Sequence, residues 1–182
     1  MTPEQKEKQR RCHHLAGHAV IAHRLGMSVE KVNIIKTEKR LGCCAVRQNE
    51  TAADSIHLLA GYEAEVKLDP KYKGDTAIDN GCSIAPDYRT FWDLCEKDNI
   101  RGHQYFALVD KTRKAVDDNW PQIEAVAEAL FQFVQITGDM VGSIVCAVDN
   151  GDDYTTTSEW ELCSEIKNSR HHMCNHKRRK KN

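Results

Sequence analysis

The first 26 residues constrain this chain most. Thr2-Pro3-Glu4-Gln5 is a complete helix start, with Thr as N-cap, Pro at the first helical position and Gln placed to close a capping box. Gly26 supplies the stop, so a helix is predicted from Pro3 to about Leu25. On it His14, His18, Ile21 and Leu25 fall at i, i+4, i+7 and i+11, a single stripe. Both imidazoles therefore share a face with core-directed residues, and the fold must bring two stacked histidines against apolar surface.

The rest of the chain predicts a mainly α domain with a small β-sheet. Val29–Lys36 and Gly42–Arg47 have β-branched character on either side of a turn-like TEKRL, which suggests two or three strands. Helical periodicity returns from Thr51 to Leu68, and a loop rich in Pro, Gly, Asp and Asn follows from Asp69 to Pro86. A helix is expected from about Asp87, carrying Phe91, Leu94 and Cys95. Two more are expected at about 103–118 and 121–135, divided at Trp120-Pro121, and a short one after Thr137-Gly138-Asp139. DNGDD at 149–153 lacks the residue order of a calcium loop and reads as a polar turn.

At 182 residues, with 40 % apolar and 29 % charged, the chain can bury a core of its own. No apolar run approaches the roughly 18 residues of a membrane span, and the N-terminus has no signal-peptide h-region, so the expectation is a cytoplasmic protein that does not enter a membrane. Eight cysteines without a C-x-x-C pair are expected to be buried small hydrophobes or free thiols. Formal net charge is −1, but residues 170–182 carry six Lys/Arg and no acid. That basic tail is read as solvated and disordered; attraction to nucleic acid is the less favoured reading. His171, His172, Cys174 and His176, with Cys163, match no standard zinc finger or knuckle spacing.

Histidines four apart on a helix lie one turn above each other and can present two nitrogens to one ion at about 2.0–2.1 Å. Nine histidines in the chain make one such pair unsurprising, so the spacing alone leaves a metal site and a coincidence both open. A catalytic zinc would need a third protein ligand. Asp87 and Glu65 are the carboxylates of interest. Taken alone, Asp87 at a helix start reads as an N-cap.

Longer stretches carry a resemblance. CHHLAGHAVIAHRLGMSVEKVNII resembles the start of the peptidase domain of the FtsH family of ATP-dependent zinc metalloproteases, whose motif there is H-E-A-G-H-A. LLAGYEAEV (58–66) is similar to that family's G-G-R-x-A-E-E helix, with Gly61, Ala64 and Glu65 in matching places. NGCSIAPDYRTFWDLC (80–95) is similar to its G-A-x-x-D segment, and ITGDMV to a short piece near the end of that domain. The likeness runs in order over about residues 10–142. It implies a zincin-like helical metallopeptidase domain over 1–145, followed by an extension at 146–169 and the tail at 170–182. It further implies Zn2+ held by His14, His18 and Asp87, and a peptide or unfolded-protein substrate. Glu65 is then either a partner orienting a histidine or a surface charge. The family forms rings, so an oligomer is a further implication.

The departures matter as much. Tyr62 and Val66 stand where the family has an arginine and a glutamate, and there is no P-loop, so no ATPase module. Leu15 stands where the general-base glutamate belongs, and loss of that help typically costs about 10²–10⁴-fold. His13 points about 100° away from His14 on a helix and is a poor substitute; Glu63 and Glu65 are conceivable ones. The expectation is a metal-binding, metallopeptidase-like domain of weak or absent activity. The alternative is a non-catalytic metal- or protein-binding module, a pseudopeptidase.

Overall fold

The computed structural model describes residues 1–36, 42–47, 54–71 and 84–164. The expected turn at 37–41, most of the 69–86 loop, Cys82, Cys174 and the basic tail with its histidines lie outside the described residues. The fold is mainly helical with one small three-stranded antiparallel sheet.

Helix α1 spans Pro3–Arg24 and begins with the expected capping box: the Gln5 amide donates to Thr2 Oγ1 at 3.2 Å, and the Thr2 amide donates to Gln5 Oε1 at 2.8 Å. It ends where Gly26 takes a left-handed φ of +73°, letting the Met27 amide return to the Ala22 carbonyl at 3.0 Å. The stripe expected on it is only part of its buried surface. Every residue from Cys12 to Ala22 is buried, because helices and the sheet cover this stretch on all sides.

Strands β1 (Val29–Asn33) and β2 (Cys43–Val46) form the predicted pair. The third strand, β3 (Gln135–Thr137), pairs with β1 on its other side, in the order β2-β1-β3. It occupies the end of what reads as one helix over 121–135. Helix α5 (Trp120–Phe133) stops because Val134 adopts φ +69°, and the Val134 carbonyl then accepts from the Ile34 amide at 2.9 Å.

Between these lie α2 (His57–Leu68), α3 (Ile84–Lys97) and α4 (His103–Asp118). Helix α2 starts later than Thr51, after a turn at 54–56. Helix α6 (Gly138–Asn150) is a full 13 residues, with Thr137 as its N-cap. A Cβ at Gly138 would collide with the Val29 carbonyl, so only glycine lets α6 begin against β1. DNGDD forms the end of α6, a left-handed Gly151 and a turn in which Asp153 accepts from the Thr155 amide at 2.9 Å.

The main core gathers Leu15, Val20 and Ile21 of α1, Val32 and Ile136 of the sheet, and Ile123, Val126, Leu130, Met140 and Ile144 of α5 and α6. Trp160 belongs to it as well, edge-on to Phe133 at 4.9 Å, so the segment after α6 packs on the same body. A separate small cluster joins Leu58 and Leu59 of α2 to Phe91 and Cys95 of α3. Gly17 lets α1 approach α2 closely: a Cβ there would sit 2.5 Å from the Ala60 carbonyl oxygen and 3.0 Å from the Ala64 Cβ. That approach carries α2 onto the histidine face of α1.

Candidate metal centre

Three elements meet at one point. Helix α1 supplies His14 and His18, and α3 supplies Asp87. Helix α2 supplies what lies behind them. The two Nε2 atoms are 2.9 Å apart, and Asp87 Oδ2 lies 3.5 Å from that of His14 and 3.4 Å from that of His18. Among the described residues this is the one group of His, Cys, Asp and Glu side chains that could hold a metal ion. The two imidazoles are almost wholly buried; the Asp87 side chain is 34 % exposed and forms the solvent side.

The spacing fits a small divalent ion. Three atoms at those separations lie about 1.9 Å from their common centre, close to the roughly 2.0–2.2 Å at which nitrogen and oxygen ligands would hold such an ion. The outward nitrogens agree with this. His18 Nδ1 lies 2.7 Å from the His57 carbonyl oxygen, which can only accept, so Nδ1 carries the proton and Nε2 keeps a lone pair. His14 Nδ1 faces Glu65 Oε1 at 3.4 Å, with both side chains buried. That distance is long for a hydrogen bond, and Glu65 Oε2 has no hydrogen-bond partner among the described residues. Both histidines thus turn Nδ1 to an acceptor and Nε2 to the same point.

Gly61 walls the centre. A Cβ built there would strike His18 Nε2 and would lie 2.8 Å from His18 Cε1 and 2.9 Å from His14 Cε1. Any side chain at 61 fills the cradle. Gly17, one residue before His18, serves the α1–α2 contact.

The charges are strongly coupled. Burial alone pulls the His14 imidazole down, but Asp87 and Glu65 outweigh it and raise its pKa to about 9. Burial pushes the Asp87 carboxyl up, and the two histidines more than reverse this, holding it well below the usual carboxylate range. His57 is pushed down to about 4, by burial first and then by His18, so its ring stays neutral. Burial, then Cys43 and Asp87, raises the Cys44 thiol, which leaves no preformed thiolate on that residue.

Asp87 is not the N-cap of its helix. Helix α3 begins at Ile84, and Asp87 stands in the first turn with its carboxylate on the histidines. Glu65 is no surface charge, being only 3 % exposed behind His14. Leu15, 6 % exposed, packs into the main core; a Cβ at Gly42 would lie 2.6 Å from its Cδ1. Glu63 faces α4, with its Oε2 3.2 Å from Arg113 Nε. His13 turns to the Gln9 carbonyl at 2.9 Å and to the Trp120 ring. The part played by the His57 carbonyl has no signal in the sequence, because backbone atoms leave no mark in side-chain spacing.

Neither a scan against protein-family models nor a search of curated proteins finds a match to this chain. No helix among the described residues is long and apolar enough to cross a membrane.

Proposed function

We propose that this chain is a zinc-binding, metallopeptidase-like domain, related to the FtsH-type peptidases and with Leu15 in the place of their general base. One observation carries the reading: two buried Nε2 atoms and one carboxylate converge on a point, with each Nδ1 turned away to an acceptor. Two histidines and a carboxylate are a donor set suited to zinc, and they leave a fourth position open. A zinc ion held there would supply Lewis acidity, lowering the pKa of a bound water from 15.7 to about 7.

The surrounding residues support binding better than turnover. His14 and His18 hold, Asp87 completes the set, Glu65 and the His57 carbonyl orient the rings, and Gly61 keeps the space open. Among the candidates the sequence offers, none takes the place of the missing glutamate: Leu15 cannot accept a proton, Glu63 is paired to Arg113, and Glu65 lies on the Nδ1 side of His14. The burial of Leu15 in the core therefore favours the pseudopeptidase form of this reading. Metal binding, with recognition of a peptide or unfolded chain, outlasts hydrolysis in it.

The test is the metal content of the purified protein beside a His14→Ala/His18→Ala double variant. About one zinc per chain, lost in the variant, is the expected result. Neither protein retaining metal would overturn the proposal.

A further inference from the structure

Helix α3 meets the rest of the fold in two different ways. Its apolar side, Phe91 and Cys95, packs with Leu58 and Leu59 in the small cluster, apart from the main core that surrounds α1. Toward α1 it reaches with Asp87, whose Oδ2 stands 3.4–3.5 Å from two buried imidazole nitrogens. Those separations are longer than the roughly 2.7–2.9 Å of a charge-assisted hydrogen bond. The same separations suit donors that share one ion. An ion at that point would bind the two helices through one centre, in place of the attraction between Asp87 and the two imidazoles.

Resting on the reading of this site as a metal centre, we infer that α3 is a metal-responsive element: occupancy of His14, His18 and Asp87 fastens it to α1. The neighbouring face of α3 carries Tyr88 and Trp92, 42 % and 46 % exposed, and both contact Tyr105 of α4. Metal occupancy thereby also sets how this aromatic face is presented.

The coupling has a size. Opening that separates Asp87 from the histidines costs the ion one of its three protein ligands, so it is suppressed by at most 1 + [Zn]/Kd, about 100-fold at 100 times Kd. Hydrogen exchange on the full chain, with bound zinc counted in the same samples, reads this directly. The amides of residues 91–97 are expected to slow by up to about 100-fold on zinc saturation. In Asp87→Ala, matched for occupancy through His14 and His18, they are expected not to slow.

Equal exchange in zinc-loaded and zinc-free protein overturns the inference while leaving the metal centre standing. So does equal slowing in Asp87→Ala at matched occupancy. Absence of bound zinc in the unaltered protein overturns the metal reading itself.

Discussion

Gly61→Ala tests the geometry of the centre without removing a ligand. The added methyl would meet His18 Cε1 at 2.8 Å and His14 Cε1 at 2.9 Å, and would press on His18 Nε2. Carbon contacts relax at about 3.5–4.0 Å, so the imidazoles must retreat by more than about half an ångström. His18 is pinned at Nδ1 by the His57 carbonyl, and α1 is buried around this stretch, which leaves little room to move. A site that tolerates about 0.2 Å of error in metal–ligand distance then loses its fit. Perturbing even the groups that support the ligands typically costs about 10–100-fold in affinity, and direct intrusion is expected to cost at least about 100-fold. Stability should move far less. Alanine is about 0.8–1.0 kcal/mol better than glycine in a helix, against about 1–3 kcal/mol for overpacking. Zinc titration against a competing chelator, with thermal melting in excess chelator, separates the two effects. A Gly61→Ala protein that melts normally and binds zinc as tightly as the parent would refute the assigned centre.

Three further perturbations, of pH, of Leu15 and of Val134, have outcomes set by the same structure. Zinc must displace a proton from His14, whose pKa is about 9, while Asp87 stays ionised, so affinity should weaken by about tenfold per pH unit on going from about pH 8.5 to 6.5; a pH-independent titration would contradict this. In metal-free protein, the raised His14 pKa contributes stability that is fully present below its ordinary 6.5 and lost as pH rises through about 9. Leu15→Glu places a carboxylate in a core position, which should destabilise the fold by about 3–5 kcal/mol and, if the peptidase lineage holds, raise cleavage of an unfolded substrate by about 10²–10⁴-fold. Folded, zinc-loaded Leu15→Glu with no cleavage would count against that lineage. Val134→Gly should stabilise the protein by about 1 kcal/mol, because a β-branched residue at φ +69° is strained, and the melting midpoint should rise by about 2–4 °C; an unchanged or lower midpoint would show the strain to be relieved elsewhere.

Local features of this protein are legible in the order of its residues. Thr2, Pro3, Gln5 and Gly26 define where α1 starts and stops, because capping is settled by a handful of adjacent residues. Once that helix exists, His14 and His18 must stack one turn apart. The mainly helical class and the pairing of the first two strands are likewise carried by local pattern.

Other features are settled only where distant segments meet. The three-residue β3 has no periodicity to detect, and it forms because Val134 breaks a helix and β1 offers an open side. That Asp87 faces two histidines rather than capping its own helix depends on α3 packing over α2 through Phe91. The partners of each Nδ1 depend on α1 and α2 approaching closely at Gly17, and the room for an ion depends on Gly61. Residue order is enough to put two stacked imidazoles on one helix. Whether they belong to a site is a matter of packing, because a metal centre is a coincidence in space of groups whose local chemistry carries no sign of one another.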